Sequence, residues 1–128
     1  MDRKIIATAA ILGVTAIALG AFGAHGLKKL ISPEAVLTFE TGVKYQIYHA
    51  LFLLFVGGTN LVAEKTKKTI LGLTVAGVFC FSVSIYFLSC NALFSFDFKK
   101  FGIITPIGGL LLMSAWTVLF LNIIKRKA

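Results

Sequence analysis

The chain has 128 residues, 58% of them hydrophobic and 14% charged, with a mean hydropathy of +0.92. Soluble domains run at about 45–50% and 25%, so a water-soluble core is excluded, and about 80 residues in lipid leave no room for a second domain. The net charge of +8 would point to nucleic acid in a soluble protein, but here the 13 lysines and arginines gather at the ends of apolar runs. There they read as topology signals, and no nucleic-acid partner is expected.

Four apolar runs, residues 5–22, 47–63, 69–88 and 103–124, each approach or exceed the ~20 helical residues that cross a bilayer core. The expected fold is all-α: a four-transmembrane-helix bundle, one integral membrane domain over residues 1–128, with an interfacial amphipathic helix between the first and second spans. Arg3 and Lys4 precede the first run, as in a signal peptide. The run is longer than the usual 7–15-residue core of such a peptide and reads as the first span. Ala9, Gly13, Ala16, Gly20 and Gly23 recur along it at steps of four and three, placing five small residues on one face where another helix can approach closely.

Gly23 and Gly26 flank Ala24 and His25, a composition that predicts a turn at the membrane surface. Ser32, Pro33 and Glu34 then make a helix start of N-cap, first-turn proline and favourable acid. Val36, Phe39, Val43 and Ile47 fall on one side of that helix, with Glu40 and Lys44 spaced as an i,i+4 ion pair on another. The result is an interfacial amphipathic helix running into span two. Glu64, Lys65, Thr66, Lys67 and Lys68 read as a short polar turn that makes spans two and three antiparallel.

Cys80 and Cys90 lie ~15 Å apart along span three, too far for a disulfide, and read as small apolar residues. The alternation of phenylalanine with polar residues over 94–101 reads as an interfacial loop rather than a strand. Pro106 falls near the start of span four, where first-turn amides lack helical partners anyway. Arg3, Lys4, Lys65, Lys67, Lys68, Lys125, Arg126 and Lys127 fall on one side of the membrane, against Lys28, Lys29, Lys44, Lys99 and Lys100 on the other. The bias places both termini in the cytoplasm, and the basic ends would attract anionic membrane lipids.

Polar residues inside lipid are expensive, so their positions mark the candidate site. His25, Tyr45, Gln46, Tyr48, His49, Tyr86, Ser89, Asn91 and Thr105 converge on the external leaflet in this topology, with Gly42, Gln46 and His49 on one helical stripe, Ser82 on the face of Tyr86 and Ser89, and Glu40 as a candidate third member beside the histidines. Two readings are open. One is a proton-active or ligand-binding pocket around His25 and His49; the other is an interhelical hydrogen-bond cluster joined to an aromatic interface belt. No metal site is expected, since neither a His-Glu-x-x-His motif nor a Cys/His spacing is present; no cofactor is expected either.

Together, the stretches GAFGAHGL at 20–27, YQIYHA at 45–50, FSVSIY at 81–86 and TPIGG at 105–109 resemble the DUF423 family of small bacterial membrane proteins, also called UPF0382 and related to the transmembrane protein 256 group. The resemblance covers nearly the whole chain. It implies a four-span inner-membrane protein of no established activity and marks Gly23, His25, Gly26, Gln46, Tyr48, His49, Ser82, Ser84, Tyr86, Thr105, Pro106 and Gly108. The chain departs from the pattern at Val83, where glycine is common, and at Ala115, where glycine precedes the tryptophan. Three functions remain in view. The first is a non-enzymatic bundle acting as a homo-oligomer or as an accessory subunit of a larger membrane complex; the second is a small transporter or channel using His25 and His49; the third is an intramembrane enzyme on lipid or quinone with His49 as base.

Overall fold

The computed structural model describes residues 1–125, so Arg126 and Lys127 of the basic C-terminal group lie outside the described residues. The chain folds as helices α1 (Asp2–His25), α2 (Pro33–Gly58), α3 (Glu64–Val78), α4 (Ser84–Ser89) and α5 (Ile104–Lys125), and among the described residues there is no strand. A π-helical segment, Phe79–Val83, joins α3 to α4 without a break, so the two form one rod. Three helical stretches, Asp2–Lys29, Glu64–Ser89 and Phe98–Lys125, are long and apolar enough to cross a membrane.

Close glycine contacts show how the rods run. Gly23 lies against Phe39 and Gly57 against Ile5 and Ile6, so α1 and α2 are antiparallel. Gly77 meets Leu112 while Gly108 meets Phe81, which makes the α3–α4 rod and α5 antiparallel as well. Gly42 lies against Ile85 and Tyr86, and Thr59 near Lys67, so α2 runs antiparallel to the α3–α4 rod too. The core, built on Ile5, Ala9, Phe52, Leu53, Val56, Val62, Ile70 and Ala115, sits toward the end that holds both termini.

Several boundaries differ from the sequence reading. Helix α1 continues through His25, and among the described residues no glycine has positive φ. Gly23 therefore serves close packing rather than a turn: a Cβ there would stand 3.0 Å from the Phe39 ring. Within the small-residue face, Ala9, Ala16 and Gly23 are buried, Gly20 lies beneath Val43, and Gly13 has nothing within 4 Å of where its Cβ would be.

The amphipathic stretch from Pro33 is not a separate element but the first half of one 26-residue helix, capped by Ser32 Oγ, which accepts from the Ala35 N–H at 3.2 Å. Helix α2 stops at Gly58, short of residue 63, where two glycines weaken the helix and Thr59 turns extended. Glu64, read as part of a turn, instead opens α3, where its charge suits the positive end of the helix. Glu40 and Lys44 form no ion pair; among the described residues the one ion pair is Lys67 to Asp2, at 2.9 Å.

That pair corrects the role given to Lys67. Its side chain is only 3% exposed, and Nζ donates to Asp2 Oδ1 at 2.9 Å and to the Thr59 carbonyl at 2.6 Å, binding α1, the end of α2 and the start of α3 together. Asn122 ties α5 to the same end, accepting from the Ala63 N–H and donating to Thr66 Oγ1. A second buried polar group has no such partner: Thr74 is fully buried, and its hydroxyl finds no hydrogen bond among the described residues. An unpaired buried hydroxyl costs free energy that an isosteric methyl avoids. Thr74→Val is expected to leave the melting temperature in detergent unchanged or raised, and a clear drop would mean the hydroxyl has a partner.

Candidate functional site

The polar residues of the middle helices form two separate hydrogen-bonded seams. In the first, α2 presents Gly42 and Gln46 between α1 and the α3–α4 rod. Tyr86 donates its hydroxyl proton to Gln46 Oε1 at 2.6 Å. Gln46 Nε2 donates in turn to the Leu12 carbonyl at 2.9 Å and to Thr15 Oγ1 at 2.6 Å. The Thr15 hydroxyl itself donates to the Ile11 carbonyl at 2.8 Å. Every group thus has a fixed donor or acceptor role, and the chain of bonds sets the orientation of the Gln46 amide.

One turn earlier on the rod, Ser82 donates to the Gly42 carbonyl at 2.8 Å, with both residues buried. That carbonyl is already used within α2, and its second lone pair accepts the serine. Glycine at 42 is needed for close approach, because a Cβ would stand 2.7 Å from the Tyr86 ring. Phe39 completes the seam by packing on Tyr86 with ring centres 4.9 Å apart.

His49 belongs to the second seam, on the α5 side of α2. Its Nδ1 lies 2.7 Å from the Tyr45 carbonyl, and the Trp116 indole N–H donates to its Nε2 at 3.1 Å. An indole nitrogen can only donate and a carbonyl can only accept, so the ring carries its proton on Nδ1 and both nitrogens are occupied. An imidazolium would set two donors against each other at Trp116. Phe52 stacks on the same indole at 4.1 Å. Tyr45, Phe81, Gly109, Leu112 and Met113 border a cleft of about 370 Å³ beside this pair.

The remaining sequence candidates lie elsewhere. His25 is exposed at the end of α1. Gly23, two residues before it, packs at Phe39, while His49 is ten residues further along α2, ~15 Å away. The two histidines do not share a site. Glu40 is half-buried with no polar side-chain partner among the described residues, and Tyr45 and Tyr48 expose their rings. Asn91 organises the loop before α5, accepting from the Phe98 N–H at 2.7 Å. Thr105 pairs with Ser84 at 2.6 Å across the start of α5, apart from both seams. Among the described residues no three His, Cys, Asp or Glu side chains gather into a metal-binding group.

Two participants were absent from the sequence candidates, Thr15 and Trp116. The signal for Trp116 lay in its chemistry: an indole N–H facing an apolar environment seeks an acceptor. Thr15 carried no such signal, since an exposed helical threonine ordinarily bonds its own helix.

An all-helical chain with three helices apolar enough to cross a bilayer, and with two seams of hydrogen-bonded polar groups inside it, is an integral membrane protein of the small helical class. Residues 19–109 match the family described as protein of unknown function DUF423, and the chain belongs to that family. It is 32% identical to a UPF0382 membrane protein of Haemophilus influenzae over 128 residues, covering 100% of this chain and 99% of that protein. It is 35% identical to the UPF0382 membrane protein YwdK of Bacillus subtilis, covering 96% and 98%. It is also 29% identical to the UPF0382 inner membrane protein YgdD of Escherichia coli, covering 98% and 93%. No solved structure matches the fold.

Proposed function

We propose that the chain is a four-span protein of the bacterial inner membrane, with both termini cytoplasmic, that works by assembly as a homo-oligomer or as a subunit of a larger membrane complex. The observation that carries this reading is the saturation of the polar groups in the two seams. Gln46, Ser82 and Tyr86 bond one another or the backbone, and both nitrogens of His49 are engaged. A general base needs a free lone pair directed at its substrate, and a proton relay needs a group that can change partners. Such seams suit a rigid body whose outer faces meet lipid and other proteins.

The topology draws on the antiparallel order of the rods. Arg3, Lys4, Lys65, Lys68 and Lys125 lie at the end that holds both termini, and Lys28, Lys29, Lys44, Lys99 and Lys100 at the other. The 26 residues of α2 span ~39 Å, long enough for an amphipathic start at the interface followed by a crossing. The inner-membrane name of the Escherichia coli relative agrees with this location.

The test is native mass spectrometry of the protein released from nanodiscs of native lipid, with crosslinking in cells beforehand. A defined oligomer or a stoichiometric partner is expected. A strict monomer without a partner overturns the assembly role, and a solute flux in proteoliposomes that is abolished by His49→Gln replaces it with transport.

A further inference from the structure

A groove of about 690 Å³ runs between the first turns of α1 and the outer face of α3. Lys4 and Lys68 stand at its mouth, and Gly72, Val75, Ala76 and Phe79 continue it along α3. We infer that this groove is a binding site for one anionic phospholipid of the cytoplasmic leaflet, its phosphate held by Lys4 and Lys68 and one acyl chain lying along α3. The inference rests on the proposed topology only for the leaflet, because the groove and its charges are the same in either orientation.

Three observations point to this occupant. The first is charge. Lys67, the neighbour of Lys68, is buried and neutralised by Asp2, whereas Lys4 and Lys68 are exposed and have no acidic partner within 4.0 Å among the described residues. Two uncompensated ammonium groups at a membrane surface attract a phosphate diester.

The second is length. From Lys68 to Phe79 the helix rises ~16 Å, close to half of a bilayer core ~30 Å thick, so the groove is one leaflet deep. An acyl chain whose headgroup sits at the lysines would end beside Phe79, where α3 gives way to the π-helical segment. The third is room. A Cβ at Gly72 would meet nothing within 4 Å, unlike those at Gly77 and Gly108, which would strike Leu112 and the backbone of Phe81. The glycine at 72 thus leaves space that none of the described residues fills. A zwitterionic lipid would set its own cationic group beside the lysines, and a symmetric second copy of the chain would bring its own exposed lysines to the same mouth.

The experiment measures lipid retained by the purified full-length protein. Delipidated protein in detergent is titrated with phosphatidylglycerol or with phosphatidylcholine of the same chains, and bound lipid is counted by native mass spectrometry. One tightly held phosphatidylglycerol is expected. Lys4→Gln with Lys68→Gln changes only exposed groups and should weaken it about 25-fold, at about fivefold per lysine, with little change for phosphatidylcholine. Gly72→Leu fills open space and should abolish retention of both lipids while the melting temperature holds.

Equal retention of the two lipids by the wild-type protein would overturn the site, as would a phosphatidylglycerol adduct that survives both variants. Loss of a dimer on Gly72→Leu with lipid binding unchanged would reassign the groove to a second copy of the chain. Because lipid is counted per chain, the assembly reading can fail while this one stands, and the reverse.

Discussion

Gly108→Ala is expected to destabilise the protein by about 3 kcal/mol or more, a cost at or above the usual range for overpacking. A Cβ at this position would strike the Phe81 nitrogen and stand 2.6 Å from the Cys80 carbonyl carbon and 2.8 Å from the Phe81 Cα. These are backbone atoms, so no rotamer change relieves the contact; α5 must move away from the rod. That movement would also lift Leu112 from Gly77 and Trp116 from His49, two contacts further along the same helix. Membrane helices associate through such close packing because no water drives them together. Thermal unfolding in detergent, followed by near-ultraviolet circular dichroism, checks the prediction. Gly13→Ala and Gly72→Ala are the matched controls, since neither new Cβ meets anything within 4 Å. In those two cases the better helix propensity of alanine should hold or raise the melting temperature. If all three variants behave alike, the close approach of α5 is refuted.

Gln46→Leu carries the second large expected effect, a loss of about 2–4 kcal/mol. The amide links three helices, and its removal leaves the Tyr86 hydroxyl without its acceptor and Thr15 and the Leu12 carbonyl without their donor. Tyr86→Phe alone should cost less, about 1 kcal/mol, because it removes one donor and leaves the other bonds of Gln46 in place. The double variant isolates the pair: a coupling of about 1 kcal/mol is expected for two side chains bonded at 2.6 Å. Strictly additive losses would mean that the two groups do not interact, and the first seam would lose its central bond.

The sequence carries the helices of this fold far better than their contacts. Apolar composition over a bilayer's length marks α1, the α3–α4 rod and α5, because that signal is spread over about twenty residues and survives local exceptions. Helix α2 is harder to read. Its first half bears Glu34, Glu40 and Lys44, and its second half ends in two glycines, so neither edge follows hydropathy. Gly23 resembles a turn residue by composition, yet the space it frees is used by the Phe39 ring, whereas Gly26 does end α1 in a turn. Lys67 resembles its neighbours Lys65 and Lys68, and only the fold reveals that it is buried against Asp2, 65 positions away.

The site divides in the same way. Helical spacing places Gly42, Gln46 and His49 on one stripe, since that depends on local periodicity alone. Their partners depend on tertiary contacts: Trp116 lies 67 positions from His49, and Thr15 lies 31 from Gln46. His25 and His49 share a residue type and an expected leaflet, but the depth of each along its helix separates them. Family resemblance adds the identity of the motif residues without saying which touch.

The π-helical segment bears on how this chain can vary in length. A π turn holds one residue more than the α-helical path it interrupts, so everything beyond it is rotated by ~100° relative to an unbroken helix. Ser82 lies inside Phe79–Val83 and Tyr86 just beyond it, and both reach α2. Straightening the rod to a plain α-helix with every residue kept would swing Tyr86 away from Gln46, whereas removing one residue of the segment as well would leave Tyr86 facing it. The π turn thus absorbs one residue that the seam does not need. A relative one residue shorter here can run the same seam through a plain α-helix.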